Sequence, residues 1–285
     1  FISDFQAPFH DLGMVAIVKE YIKLQKPNHL ILGGDILDCF TISSYDRGKN
    51  AGYRQLREEW LVSDREVVEP IWKVARESNP KTKIVWISGN HEFRLERLYG
   101  KLQRADLMAL FDFIPSIEDF FKLKERGIKY IHSKAGNGIY EFTQHLTMMH
   151  GQYGGAFPAR AHLQKWGKSL IHGHVHRAMT WSEHSGSGSE MVALSAGCLC
   201  KSPDWLDINN WNYGFVVGSI DEKDGTFSAD HEKILLVGKH RRELRSRQYG
   251  TIVATEDSSG RWTARVLDPI SSRGNKAGSK AGKKR

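Results

Sequence analysis

Residues 30–38 read Leu30-Ile31-Leu32-Gly33-Gly34-Asp35-Ile36-Leu37-Asp38, a short apolar run that passes through two glycines into a polar cluster. An apolar run of this length that ends in a turn is typical of a buried β-strand. Comparable runs recur along the chain, and they lie at residues 1–3, 83–88, 129–133, 146–150 and 169–172. The sequence therefore predicts a series of short buried strands.

Helical patterns lie between these strands. Apolar residues recur at helical spacing over residues 14–25 and 53–77, and Pro70 is expected to kink or split the second helix. A further helical segment covers residues 158–166. Because strand and helix alternate, we predict an α/β domain.

The composition fits one large folded domain. Of the 285 residues, 40% are apolar and 26% are charged, which is enough to bury a core and unlike a disordered or collagenous chain. The three cysteines do not suggest a disulfide framework, and there is no apolar run of about 18 residues that could cross a membrane. We expect a cytoplasmic protein without a membrane partner, and the oligomeric state stays open.

The chain divides into a domain over residues 1–270 and a tail over residues 271–285. Within the domain we expect a helical insert at about residues 94–127 and mostly β-structure over residues 179–267. The chain begins inside an apolar run and without Met, so we expect that a few residues precede Phe1, and a leader stays open.

The positive charge is concentrated at the end of the chain. The tail holds six Lys or Arg, and subtracting them from the net charge of +8 leaves +2 for the rest. A second basic cluster, residues 239–247, holds five Lys or Arg and one Glu. Such segments contact nucleic acid or merely keep a terminus soluble. DNA or RNA is thus one expected partner of the tail, and a tail without a partner is the alternative.

Polar clusters follow five of the predicted strands. They are Asp4-Phe5-Gln6, Gly33-Gly34-Asp35-Ile36-Leu37-Asp38, Gly89-Asn90-His91-Glu92, His150-Gly151 and Gly173-His174-Val175-His176. In open α/β sheets, ligands bind beyond the carboxyl ends of the strands, so we expect the clusters to converge. Any one of them could be a surface turn, and only the series of five indicates a site.

The donor atoms in these clusters suit divalent metal ions. Carboxylate, amide oxygen and imidazole bind ions such as Mn²⁺, Fe²⁺ or Zn²⁺, and the lack of a cysteine among them argues against structural zinc. The candidate ligands are Asp4, Gln6, Asp35, Asn90, His150, His174 and His176. Since one catalytic metal takes about three or four protein ligands, the set predicts two ions that share a carboxylate.

The order of these motifs over about residues 1–180 resembles that of the calcineurin-like metallophosphoesterases. The resemblance implies a four-layer α/β sandwich of two mixed β-sheets flanked by helices, with a binuclear metal site at the strand ends. It also implies the ligands of each ion: Asp4, Gln6, Asp35 and His176 for the first, and Asp35, Asn90, His150 and His174 for the second. Asp35 would then bridge the two ions.

The resemblance implies catalytic roles for two further residues. His91 would protonate the leaving group while a metal-bridging hydroxide attacks the phosphorus, a task that suits a group with a pKa near neutrality. Asp38 would orient His91, and the alternative for Asp38 is a helix N-cap.

The sequence departs from the family pattern at its first motif. Gln6 stands where the family usually has His, and the Asp-x-Gln form resembles phage and bacterial-type members of the family. An amide oxygen is a harder ligand than imidazole, so we expect Mn²⁺, with Fe²⁺ or Zn²⁺ as alternatives. His10 could reach back to the metal or the phosphate. Arg94 is a further candidate for phosphate binding, and the favoured alternative is a solvated helix face where it pairs with Glu92 and Glu96.

The predicted activity is that of a two-metal phosphoester hydrolase, and the basic segments favour a nucleic-acid phosphodiesterase or nuclease. One alternative is a phosphomonoesterase that acts on a small metabolite or a phosphoprotein. Another is a phosphoesterase fold that has lost its chemistry and acts as a binding scaffold, which Gln6 alone supports. We place the protein in the host cytoplasm if it is phage-encoded. The pair Cys198 and Cys200 is expected to lie in a buried strand and loop.

Overall fold

The computed structural model of the protein describes residues 1–43, 53–101, 114–134, 137–186, 188–202 and 210–268. The helices are α1 (Leu12–Gln25), α2 (Tyr53–Ser63), α3 (Glu69–Ser78), α4 (Phe93–Lys101), α5 (Ile117–Phe120) and α6 (Pro158–Trp166). A 3-10 turn covers Phe40–Ile42, and a π-helical turn, Asp64–Val68, joins α2 to α3. The central part of the predicted helical insert, residues 102–113, and the basic tail lie outside the described residues.

The strands are β1 (His29–Leu32), β2 (Lys83–Ile87), β3 (Ile128–Ile131), β4 (Ser133–Lys134), β5 (Asn137–Glu141), β6 (Leu146–Met149), β7 (Ser169–His172), β8 (Ala178–His184), β9 (Glu190–Ala196), β10 (Tyr213–Ile220), β11 (Phe227–Leu236), β12 (Arg241–Ser246), β13 (Gly250–Glu256) and β14 (Trp262–Asp268). The predicted β-rich character of residues 179–267 is confirmed by strands β8 to β14. No helix among the described residues is long and apolar enough to cross a membrane.

Helix α1 forms where the sequence predicts it. The Asp11 side chain accepts a hydrogen bond from the backbone N–H of Met14 and caps the first turn. Val15, Val18 and Ile22 are buried along one face, as their helical spacing requires. The helix ends at Lys26, which adopts the left-handed conformation common at helix C-termini.

The second predicted helix is split, as expected. The interruption is the π-helical turn Asp64–Val68, and Pro70 follows it directly in α3. The backbone stays helical on both sides of the turn, so the wider π spacing accommodates a proline that cannot donate a hydrogen bond.

The first sheet combines a parallel and an antiparallel part. Strands β1, β2 and β3 pair in parallel, and β10 to β14 pair antiparallel in chain order. The N-terminal residues connect the two parts, since Ile2 forms a bridge with Leu32 while the backbone N–H of Val216 on β10 donates to the Phe1 carbonyl. The sequence predicts a strand at residues 1–3. These residues pair with β1 on one side and with β10 on the other, over too short a length to count as a full strand.

The second sheet is mixed and packs face to face with the first. Its strand order is β4-β5-β6-β7-β9-β8, with β6, β7 and β9 parallel. The core between the sheets is apolar from both sides and contains Ile31, Val85, Ile87, Leu146, Met148, Ile171 and Leu194.

Helices cover the outer faces of both sheets. Residues of α1, α2 and α3 share a core with the first sheet, and Ala159 and Leu163 of α6 share one with Met149 and Leu170 of the second sheet. The layers are thus helix, sheet, sheet and helix, which confirms the predicted α/β sandwich. Polar residues follow β1, β2, β6 and β7 directly.

Candidate metal centre

The structure places the polar clusters at strand ends, as expected. Asp35 follows β1, Asn90 follows β2, His150 follows β6 and His174 follows β7. The ligand atoms of Asp35, His150 and His174 all lie within 4.8 Å of one another. Residues far apart in the sequence therefore form one compact group.

Asn90 lies at the centre of this group. Its side-chain oxygen Oδ1 is 2.7 Å from His174 Nδ1 and 3.0 Å from His150 Nε2. His150 Nε2 is in turn 3.3 Å from Asp35 Oδ2. We call Asp35, Asn90, His150 and His174 the inner group.

The other nitrogen of His150 shows why the inner group suits a cation. His150 Nδ1 is 3.0 Å from the Gly33 carbonyl oxygen, which can only accept, so Nδ1 carries the hydrogen. In the neutral ring Nε2 then presents a lone pair to the oxygens of Asn90 and Asp35. Acceptors that converge in this way fit a divalent ion with N and O ligands.

The Asp35 carboxylate draws positive charge to His150. Burial opposes protonation of His150, but the Asp35 carboxylate outweighs it and raises the pKa of His150 to about 10. Burial likewise opposes ionisation of Asp35, whereas His150 and His91 together lower the pKa of this carboxyl. The inner group thus strongly favours positive charge at its centre.

A second group, which we call the outer group, consists of Asp4, Gln6 and His176. His176 Nε2 is 3.1 Å from Gln6 Nε2 and 3.3 Å from Asp4 Oδ1. The backbone N–H of His174 donates to both oxygens of Asp4 at 3.1 Å, which links the outer group to the inner one. Burial works against protonation of His176, but the contacts with Asp4 and Cys200 raise its pKa to about 10.

The backbone of both groups is unusual. Five candidate ligands have positive φ angles: Asp4 (55°), Gln6 (45°), Asp35 (49°), His174 (74°) and His176 (57°). L-residues rarely adopt this left-handed conformation, and such strain concentrates at functional sites. The strain shows that the surrounding structure holds these side chains in place.

Two glycines allow neighbouring loops to approach the carboxylates closely. A Cβ atom on Gly89 would lie 2.2 Å from Asp35 Oδ1, and one on Gly173 would lie 2.3 Å from Asp4 Oδ2. No side chain fits at either position, so glycine is required for the loops to close around the site.

Glu92 has a structural role that the sequence reasoning missed. Its carboxylate is buried and accepts hydrogen bonds from the backbone N–H groups of Asp35, Ile36, Leu37 and Gly89, at 2.8–3.0 Å. It therefore ties the loop after β1 to the loop after β2. Its position in the cluster Gly89-Asn90-His91-Glu92, beside three polar residues, was the available signal.

His91 and Asp38 are brought together as the resemblance implies. His91 Nδ1 is 2.9 Å from the Asp38 carbonyl oxygen and 3.2 Å from Asp38 Oδ2. Burial disfavours the protonated ring, but Asp35 and Asp38 outweigh it and raise the pKa of His91. Asp38 is not a helix N-cap, because Cys39 occupies that position before the 3-10 turn, without a side-chain cap.

Arg94 does not lie on a solvated face with Glu92 and Glu96, so that interpretation is wrong. Its guanidinium donates to the Asp38 carbonyl at 2.7 Å and to Asp38 Oδ1 at 3.2 Å, and it lies 3.1 Å from His91 Nε2. Glu92 is occupied by backbone donors, which explains why it does not pair with Arg94. Both ring nitrogens of His91 are therefore in contact with neighbouring groups.

The His10 ring contacts Glu66 instead of a candidate ligand. The ring is buried, and its Nε2 lies 3.3 Å from Glu66 Oε2 on the π-helical turn. Burial lowers the pKa of His10 to about 4, so the ring is neutral at pH 7. His10 therefore pairs with Glu66 in this structure.

Two cysteines lie behind His176. The ligand atoms of His176, Cys198 and Cys200 lie within 4.8 Å of one another, and Cys200 Sγ is 4.0 Å from His176 Nδ1. Burial raises the pKa of the Cys200 thiol well above its usual range, and a protonated thiol is a poor metal ligand. Cys200 is thus placed to contact one ring nitrogen while the other faces Asp4 and Gln6.

Comparison with known proteins gives one family. A family model described as calcineurin-like phosphoesterase matches residues 1–210. The match covers the strand-end clusters from Asp4 to His176. A search among curated proteins finds no match.

Proposed function

The chain belongs to the calcineurin-like phosphoesterase family, and we propose that it is a two-metal phosphodiesterase that acts on nucleic acid. Family membership makes it a metal-dependent phosphoester hydrolase. The observation that carries the two-metal proposal is that two groups of N and O ligand atoms, the inner and the outer, lie side by side and are joined by the hydrogen bonds from the His174 backbone N–H to Asp4.

We assign one ion to each group of ligands. The inner group would hold one ion, the outer group would hold the other, and Asp35 would contact both. Bound there, the ions supply a water of lowered pKa and positive charge beside the phosphoryl oxygens. Mn²⁺ is the proposed ion, because the amide oxygen of Gln6 and the carboxylates are hard ligands.

His91 is the proposed general acid. The Asp38 carbonyl and carboxylate accept from Nδ1 and fix the ring, so Nε2 of the neutral ring accepts from the Arg94 guanidinium. In the proposed role, Nε2 binds a proton as Arg94 moves away and then gives this proton to the leaving oxygen. Arg94 lies beside that nitrogen, and we propose that its guanidinium turns from His91 to a phosphoryl oxygen when substrate binds.

Leaving groups of different basicity test this role. His91→Ala should lower kcat for an alkyl phosphodiester by about 10²- to 10⁴-fold, because an alkoxide must be protonated as it departs. Turnover of a nitrophenyl diester should fall much less. The control is His132→Ala, since His132 is 64% exposed and pairs with Glu118. Equal losses on both substrates would show that His91 is not the acid.

The preference for nucleic acid rests on the basic segments. The tail holds six Lys or Arg without an acid, and in the cluster of residues 239–247 the Arg247 side chain is 94% exposed. Arg242 of the same cluster is buried against Asp11, so only part of the cluster can contact phosphates. Such contacts would give salt-dependent binding without sequence preference.

A substrate panel with Mn²⁺ tests the proposed class. We expect hydrolysis of a nitrophenyl diester and of single-stranded DNA to exceed that of a nitrophenyl monoester. Removal of residues 271–285 should weaken DNA binding and reduce its salt dependence. A preference for monoesters would favour a phosphomonoesterase, and fewer than one equivalent of bound metal would favour an inactive scaffold.

A further inference from the structure

Two exposed phenylalanines lie on the loops that also carry candidate site residues. Phe9 follows Gln6 and is 44% exposed, while Phe40 follows Asp38 and is 37% exposed. The two rings meet edge to face, with centroids 5.7 Å apart. Exposed aromatic groups that contact each other beside a polar site are typical of binding surfaces.

The backbone beneath both rings is firmly held. The N–H of Phe9 donates to the Gln6 carbonyl at 2.8 Å, and the N–H of Lys201 donates to the Phe9 carbonyl at 2.9 Å. On the other loop, the N–H of Phe40 donates to Glu59 Oε1 at 3.0 Å. The backbone that carries the rings is therefore held in place, which lowers the entropy lost when a ligand binds.

The pair lies on the side of the proposed acid. The 3-10 turn that begins at Phe40 packs on α4, the helix directly after the His91 loop. The Asp38 carbonyl, two residues before Phe40, is the group that holds His91 Nδ1 at 2.9 Å. A general acid stands next to the leaving oxygen. The loop that carries Phe40 also holds the acid, and this is the reason for assigning the rings to the leaving group.

We propose that Phe9 and Phe40 form a stacking site for the nucleobase of the leaving nucleoside. This inference rests on the proposed function and names the part of the substrate that the pair recognises. Bases stack on exposed aromatic side chains without regard to sequence, which suits an enzyme that reads no bases.

The groove beside Phe40 favours a base over a phosphate. It has a volume of about 510 Å³ and is lined by Pro8, Phe40, Thr41, Gln55, Glu58 and Glu59. The exposed carboxylate of Glu58 would repel a phosphodiester and can accept a hydrogen bond from an N–H group of a base. Glu59 is buried and accepts from the backbone of Phe40 and Thr41, so it holds the turn that carries Phe40.

A matched pair of substrates isolates the base. The dinucleotide d(TpT) is compared with an analogue in which the leaving nucleoside has no base, both with the Mn²⁺-loaded enzyme. In Phe9→Ala and Phe40→Ala, kcat/KM for d(TpT) should fall by about 5- to 30-fold while the abasic analogue is little affected. Phe40→Leu, which keeps apolar volume without a ring, should behave like Phe40→Ala. The control is Leu267→Ala, an apolar side chain that is 40% exposed on β14.

Equilibrium binding tests the stacking site independently of catalysis, so the stacking site and the proposed function can fail separately. The affinity of the protein for d(TpT) and for the abasic analogue is measured by calorimetry in the wild type and in both alanine variants. Base-dependent binding that both variants lose, without turnover of any diester, would uphold the stacking site and overturn the proposed function. Diester turnover with equal losses on both ligands would overturn the stacking site alone. If Phe9→Ala and Phe40→Ala weakened the binding of a phosphotyrosine peptide and left d(TpT) binding unchanged, the stacking site would also be overturned.

Discussion

Five of the candidate ligands have a left-handed backbone conformation, which L-residues avoid. The left-handed conformation costs a residue other than glycine about 1–2 kcal/mol. At Asp4, Gln6, Asp35, His174 and His176 this cost recurs at one site. The packing and hydrogen bonds around the site offset this cost. The donor atoms are therefore oriented towards the site before any ligand binds.

Glycine and alanine at position 174 separate strain from the loss of the imidazole. Both variants remove the side chain, but only alanine must keep a Cβ at φ 74°. His174→Gly should therefore be more stable than His174→Ala by about 1 kcal/mol in the metal-free protein. Urea unfolding of the two variants gives the difference directly.

An exposed helical position provides the control, because there the alanine variant should be more stable than the glycine variant. At Lys23 in α1, whose side chain is 59% exposed, alanine should be more stable than glycine by about 1 kcal/mol. If alanine were also the more stable residue at position 174, the strain at that position would be absent.

His10 links stability to pH, because burial lowers its pKa to about 4 from an ordinary value of 6.5. Between these values the unfolded chain binds a proton at His10 that the folded chain does not. The free energy of unfolding should therefore fall as the pH drops from about 6.5 towards 4, by about 3 kcal/mol from this residue. In His10→Phe that part of the pH dependence should disappear.

Urea unfolding between pH 4.5 and 7.5 measures the effect of His10. The matched control is His240→Gln, whose ring is 62% exposed and contacts Glu256. Parallel stability curves for the wild type and His10→Phe would show that His10 carries its proton in the folded protein.

One ion pair ties helix α1 to strand β12. The Asp11 carboxylate caps the helix at Met14 and also accepts from Arg242, whose NH2 group lies 2.7 Å from Asp11 Oδ2. The Arg242 guanidinium also lies over the Trp262 ring, 5.0 Å from its centroid. A residue of the basic cluster thus holds the helix against the sheet.

Removing either partner of this pair should leave a buried charge alone. Arg242→Ala and Asp11→Ala should each lower the free energy of unfolding by about 3–5 kcal/mol, because the side chains are only 11% and 4% exposed. The double variant should lose less than the sum of the two. Thermal and urea unfolding provide the values, and Arg245→Ala, at a side chain that is 74% exposed, is the control. Equal small losses for Arg242→Ala and Arg245→Ala would contradict this role.

Elements that depend on local patterns were predictable from the sequence, and contacts between distant residues were not. Strand β1 and the cluster that ends at Asp38 follow from a short apolar run and two glycines. Three of the four hydrogen bonds of Glu92 join residues 55 to 57 positions apart, and nothing in either segment indicates the partner. The same holds for Arg94, because its partner Asp38 lies 56 positions away and displaces the local pairing with Glu96.

At the scale of the whole molecule, the metal site joins the two sheets, because its candidate ligands come from both of them. Asp35 and Asn90 follow strands of the first sheet, while His150 and His174 follow strands of the second. An ion bound between them would connect the two sheets at one edge. Metal binding should therefore stabilise the entire fold rather than one loop.

Thermal unfolding in the presence of Mn²⁺ tests this linkage. A ligand that binds only the folded state stabilises it by about 2.7 kcal/mol at a hundredfold excess over Kd, so the Tm should rise by about 5 °C or more relative to protein in EDTA. His174→Gln should lose most of this shift, because it removes an imidazole 2.7 Å from Asn90 Oδ1. His132→Gln, which changes an exposed imidazole away from the site, should keep it. A shift of equal size in all three proteins would place the bound ions elsewhere on the surface, whereas loss in His174→Gln alone would locate them between the sheets.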